Sequence, residues 1–120
     1  MASIYIVGQW GPEAAERCYG PFVTATTAQA QDVEAKIFLM MDAVYLMKKG
    51  IAEKIKAPGF PPLPDLIDSF LDAGGKIEIC SNSANFRGLT EKDFRDKRIQ
   101  IAGAAAMIND VLKHDKVMFF

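Results

Sequence analysis

"PPLPDLIDSFLDAGGKIEIC", residues 61–80, contains one full step from helix to strand. Leu63, Leu66, Ile67, Phe70 and Leu71 fall at positions i, i+3, i+4, i+7 and i+8. That spacing lays a single apolar stripe along a helix. Asp65 and Asp68 take the other face, near the positive end of the helix dipole. Gly74-Gly75 stops the helix, and residues 76–80 read as a short buried strand.

The same alternation extends in both directions. Residues 3–8, SIYIVG, form an apolar run closed by glycine and read as a first strand. Residues 9–20 form a loop, with at most one helical turn, bounded by Gly11-Pro12 and Gly20-Pro21. Pro21 suits the first turn of a helix over 22–31, where its missing N–H is no loss. Residues 33–41 contain KIFLMM and predict a second strand; Asp42 is then expected to cap a short helix that ends at Gly50. Residues 51–62 read as loop, with Pro58 to Pro62 outside any helix. Beyond residue 80 come a short helical piece, a segment 90–94 capped by Thr90, and a strand over 98–102. A helix follows over 104–113, with Ala105, Ile108, Val111 and Leu112 on its core face, and then a strand over 117–120. Strands alternating with helices predict an α/β fold, a three-layer α/β/α sandwich around a five-stranded, mostly parallel sheet. No repeat, low-complexity tract or linker interrupts residues 1–120, which read as a single domain.

Composition narrows the function classes. Half of the residues are hydrophobic, enough for a real core, and 14 basic residues nearly balance 15 acidic ones. Such a balance lacks the basic footprint of a nucleic-acid binder. No apolar run approaches the ~18 residues of a membrane span, and the N-terminal stretch lacks the basic region of a signal peptide. Two cysteines and one histidine, His114, give neither a disulfide scaffold nor a metal cluster. His114 lies near a helix C-terminus, where an imidazolium is mildly favoured, and Lys48, Lys49, Lys54 and Lys56 read as solvated surface. Gly8-Gln9-Trp10-Gly11 does not make a phosphate loop, which disfavours a nucleotide or flavin cofactor. The expectation is a reduced cytoplasmic protein without metal or cofactor.

The chemistry-bearing candidate is Cys80. In a parallel sheet, ligands bind beyond the carboxyl ends of the strands, and Cys80 ends the third strand. A helix over 81–87 would bring the backbone N–H groups of Asn82 to Ala84 near the sulfur, with Ser81, Asn82 and Ser83 as positioning or pocket residues, and Arg87 would add a cation. Both effects favour a thiolate. Burial as an inert core residue is the competing reading, because free cysteine is among the most buried residue types. Asp42 and Met41 end the second strand at the same edge and are candidates to line a pocket, although Met40 and Met41 read more readily as plain core. Cys18, in the loop after the first strand, is a candidate second thiol at that edge or a loop cysteine with no role.

These segments together resemble the DsrE/DsrF-like family of small sulfur-relay proteins. The likeness rests on Gly11-Pro12-Glu13, Pro21-Phe22, the V-x-L-x-K-K-G stretch from Val44 to Gly50, residues 61–80, and Phe86 to Leu89. Their order and spacing carry it, since none is diagnostic alone. The resemblance implies a parallel α/β/α fold and assembly into homo-oligomers, commonly trimers or hexamers. An excess of apolar residues for so short a chain, including Ile51, Phe60 and Met118 to Phe120, agrees with assembly. The resemblance further implies a cysteine after the third strand that carries sulfur as a persulfide between donor and acceptor proteins; Cys80 occupies that position. Many relatives have C-x-x-C there, whereas this chain has Ser83 in place of the second cysteine. Single-cysteine sulfur transfer and a non-catalytic role as an oligomeric subunit or ligand-binding module both stand open at this point.

Overall fold

The computed structural model describes residues 2–120. The chain runs through β1 (Ser3–Gly8), α1 (Gly20–Ala30), β2 (Glu34–Leu39), α2 (Leu63–Asp72) and β3 (Lys76–Cys80). It continues through α3 (Ser81–Phe86), β4 (Gln100–Ala102), α4 (Ala104–Lys113) and β5 (Lys116–Phe119). The five strands form one sheet in the order β4-β3-β2-β1-β5, and every pairing is parallel.

Side chains alternate across the sheet and divide the core in two. Ile6, Ile37, Leu39, Ile77 and Ile79 turn toward α1 and α2, where Phe22, Leu63, Ile67 and Phe70 meet them in the larger cluster. Leu46 and Met47, from a 3-10 helix over Met41–Met47, complete that layer. The opposite face carries a smaller cluster of Tyr5, Val7, Phe38 and Cys80, against which Met107 and Val111 of α4 pack. Helices therefore cover both faces, but unequally.

The helix-to-strand step at 61–80 folds as its pattern predicts. Leu63, Ile67, Phe70 and Leu71 are buried. Gly74 takes φ of +92°, a left-handed turn that suits glycine, and the Gly75 N–H donates to the Phe70 carbonyl at 2.9 Å. A Cβ on Gly75 would overlap the Phe70 ring. Thr90 and Asp93 close a capping box over the turn Glu91–Asp93.

Three local expectations need correction. Asp42 does not cap a helix: the segment Met41–Met47 is a 3-10 helix whose N-cap is Met40, and no side chain caps it. Residues 51–62 are not all loop, because Ala52–Lys54 makes a 3-10 turn; Pro58 to Pro62 do lie outside the helices. The inner face of α4 is also different. Met107, Asp110, Val111 and His114 point to the sheet, whereas Ala105, Ile108 and Leu112 face outward, Leu112 at 79 % exposure.

The reason is a polar row beneath α4. Tyr5 and Lys36 are register partners, and Glu78 follows on β3 on the same face. Lys36 Nζ reaches Asp110 Oδ2 at 2.8 Å and Glu78 Oε1 at 3.2 Å. The His114 ring lies 5.1 Å from that of Tyr5. An ion cluster thus fixes which side of α4 turns inward.

Candidate functional site

No loop separates β3 from α3. Cys80 ends the strand and is the N-cap residue of the helix, with φ −60° and ψ 123°. Its register partner on β4 is Ala102, at the carboxyl edge of the sheet. The side chain belongs to the α4-side cluster with Tyr5, Val7 and Phe38, and Met40, Met107 and Val111 pack against that cluster. Cys80 is 8 % exposed, and its sulfur makes no capping hydrogen bond.

The rim beside Cys80 is held by specific bonds. Met41 sits at φ 55°, left-handed backbone that costs a non-glycine residue about 1–3 kcal/mol. Its N–H donates to Ser83 Oγ at 2.8 Å, which ties the end of β2 to the first turn after β3. Ser83, at the position of a second cysteine in C-x-x-C, is therefore an acceptor for this backbone. Arg87 donates through Nε and Nη2 to Asp42 Oδ1, at 3.0 and 2.8 Å, and through Nη1 to the Ser83 carbonyl at 3.1 Å. Its guanidinium carbon also lies 5.7 Å from the ring centres of both Tyr45 and Phe86.

Met41, Asp42, Ser83 and Arg87 are thus one bonded group next to Cys80, but the charge of Arg87 is committed to Asp42. Ser81 borders the start of α4, its Oγ 3.8 Å from where a Cβ on Gly103 would stand. Asn82 is exposed.

Cys18 is elsewhere. It is buried in the cluster under α1 and α2, across the sheet from Cys80, and its Sγ donates to the Ala15 carbonyl at 3.2 Å. Burial, with the Glu13 charge adding to it, pushes the Cys18 thiol up to about 11. Both cysteines are free. The structure does not bring the two thiols together. Among the described residues, no three His, Cys, Asp or Glu side chains converge as metal ligands.

Sequence reasoning missed Tyr45 and Phe86, whose rings both lie near the Arg87 guanidinium, and it missed exposed Phe86 as a rim residue, 88 % accessible. It also missed the Lys36–Glu78–Asp110 cluster. The signal for the latter was the period of two in IEI and AKI, which sends the charged residue of each strand to one face.

The chain matches the DsrE/DsrF-like family over residues 2–120. It is 38 % identical over 110 residues to the uncharacterised protein MJ0760 of Methanocaldococcus jannaschii, covering 92 % of this chain but 40 % of that protein. It is 32 % identical to the uncharacterised protein MK0008 of Methanopyrus kandleri, with 98 % and 93 % of the two chains covered. Among solved structures, the YchN protein of E. coli superposes with a TM-score of 0.83 over the whole of both chains, at 22 % identity. MTH1491 of Methanobacterium thermoautotrophicum superposes with a TM-score of 0.73 at 9 % identity, over 98 % of this chain and 97 % of that one. These neighbours share the five-stranded α/β fold. By the match along nearly its whole length, the chain belongs to the DsrE/DsrF-like family.

Proposed function

We propose that the protein is a sulfur carrier that holds sulfane sulfur as a persulfide on Cys80. The Cys80 thiolate attacks the outer sulfur of a donor persulfide; the new Sγ–S bond forms as the donor S–S bond breaks, and the donor leaves as a thiolate. An acceptor thiolate then attacks the same outer sulfur and releases Cys80. Each step is redox-neutral. The supporting observation is the position of Cys80: it ends β3 at the carboxyl edge, beside a rim in which Ser83 holds the strained Met41 and Asp42 holds Arg87. Mass spectrometry after treatment with inorganic polysulfide tests this reading, with wild type beside Cys80→Ser and Cys18→Ser. A gain of one sulfur that survives in Cys18→Ser and vanishes in Cys80→Ser supports the carrier. No gain on Cys80 in the folded protein overturns it.

A second reading, a non-catalytic subunit or ligand-binding module, has its own support: the sulfur lies largely among apolar side chains and lacks a capping hydrogen bond. An unreactive Cys80 would favour it.

In either role we propose a homo-oligomer, a trimer or hexamer, assembled through the outer surface of α4 and β5. Ala105, Ile108 and Leu112 lie at i, i+3 and i+7 and form an exposed apolar stripe. Met118 and Phe119 are exposed on the edge strand β5. A patch of this kind on a small domain is commonly an assembly surface. Light scattering should find a trimer or hexamer for wild type and smaller species for Leu112→Glu. A wild-type monomer at micromolar concentration refutes assembly.

A further inference from the structure

The strand order turns back at β1. From β1 the chain adds β2, β3 and β4 in one direction, with α1 and α2 on one face, and α4 then crosses the other face to place β5 on the far side of β1. The carboxyl ends of β1 and β5 therefore flank the topological switch point, where open parallel sheets leave a crevice for ligands. A cleft of about 640 Å³ lies there, within the usual ~300–1,000 Å³ of small-molecule sites. It is on the α1 side of the sheet and two strands from β3, separate from Cys80.

Its walls are mostly apolar. Trp10 comes from the loop after β1, Phe120 follows β5, Val23 lies on α1, and Phe60 closes the rim. Phe120 can lie against α1 because residue 20 is glycine; a Cβ there would stand 2.6 Å from the Phe120 ring. Trp10 keeps 40 % of its surface exposed.

One cation stands in this apolar slot. Arg17 lies over the Trp10 ring, its guanidinium carbon 4.8 Å from the ring centre. Arg87, Arg95 and Arg98 each pair with a carboxylate. Arg17, among the described residues, does not. Arg17 is exposed; stacking on the indole biases its guanidinium toward the cleft, and its edge N–H donors remain free for a carboxylate. Thr24 adds a hydroxyl to the lining. Glu16, also in the lining, opposes a second negative charge and so disfavours polyphosphates.

We infer that this cleft binds an aromatic monoanion, its ring system against Trp10, Phe60 and Phe120 and its carboxylate on Arg17. The inference does not depend on Cys80. Trp10 is the chain's one tryptophan, so its indole N–H resonance reports on the cleft alone.

The test is a titration of the ¹⁵N-labelled protein with 2-naphthoate, with 2-naphthalenemethanol as the neutral counterpart. The expected result is a saturable shift of the Trp10 indole N–H with Kd below about 1 mM. Arg17→Met should weaken naphthoate binding about tenfold while leaving the neutral compound unchanged, since a charge-assisted hydrogen bond is lost. Cys80→Ser should bind as wild type does. The inference is overturned by an unmoved Trp10 resonance, by equal binding to Arg17→Met, or by shifts that never saturate. It is also overturned if the Trp10 resonance responds to protein dilution and not to naphthoate, because a neighbouring copy then fills the cleft.

Discussion

Replacing Lys36 with Met should be among the most damaging single changes on the α4 side. Lys36 Nζ lies 2.8 Å from Asp110 and 3.2 Å from Glu78, and the three side chains are only 18, 14 and 15 % exposed. At an effective dielectric of ~20, each contact is worth roughly 5–6 kcal/mol of bare Coulomb attraction, most of it offset by desolvation in the intact cluster. Methionine keeps the stem packing and removes the cation, which leaves two carboxylates facing each other under α4. The cluster is part-buried, so the loss should fall between an exposed pair and a fully buried one, ~2–4 kcal/mol out of a total of about 5–15. Urea unfolding at neutral pH should show that loss. Acid should relieve the variant, because a protonated carboxyl needs no cation. Replacing all three residues with apolar ones should recover most of the stability. In wild type, burial alone would lower the Lys36 pKa, but the hydrogen bond to Asp110 and the attraction of the Asp110 and Glu78 carboxylates outweigh it and the net shift is upward. A raised lysine stabilises the fold fully below its ordinary value of 10.5 and loses that contribution as pH rises through the folded value. A loss below about 1 kcal/mol in Lys36→Met would refute the reasoning, since that is the scale of an exposed pair.

Cys18 should resist iodoacetamide in the native protein at about pH 8 and react faster only as pH approaches 11, where burial has placed its thiol; rapid peptide-mapped labelling at the lower pH would contradict this. Ser83→Ala should cost about 1 kcal/mol in chemical unfolding, because the Met41 N–H loses its acceptor while holding a left-handed backbone. An unchanged midpoint would mean that water replaces the hydroxyl without cost.

Much of this fold could be read from period alone. The stripe of α2 and the strand at 76–80 needed no partner to be recognised, because propensity, spacing and the Gly74-Gly75 stop agree. The helix α4 could not be read that way. AAAMINDVLK carries two apolar stripes, and the better one, Ala105, Ile108 and Leu112, is the outer one. The inner stripe includes Asp110, an acidic residue that a hydrophobic reading sends to solvent. Only Lys36, 74 positions away, makes it an inward residue. Asp42 failed as a cap for a similar reason: Arg87, 45 positions later, takes its carboxylate. Cys80 was legible as the end of a strand at the carboxyl edge, whereas the apolar side chains around it come from β1, β2 and α4 and appear only once the sheet is assembled.

The ion cluster and the thiol lie under the same helix, which yields a prediction about Cys80 itself. Met107 and Val111 of α4 pack against the cluster that contains Cys80, and Asp110, between them, anchors the helix to Lys36. Loosening α4 should therefore expose Cys80 before the rest of the fold opens. If a loss of ~3 kcal/mol falls mainly on the opening of α4, the open population rises about a hundredfold, because each 1.4 kcal/mol is tenfold. Alkylation of Cys80 in Lys36→Met should quicken accordingly. Cys18 is an internal control, since it lies in the cluster under α1 and α2 on the opposite face. It is reached only by wider unfolding, which the same loss also favours, so its rate should rise too but stay far below that of Cys80. Equal rates at both cysteines in the variant would point to global unfolding, and no acceleration at Cys80 would show that α4 does not limit access to it. Accelerated labelling of Cys80 well ahead of Cys18 would establish that the polar anchor of α4, rather than the α1/α2 core, controls exposure of the thiol.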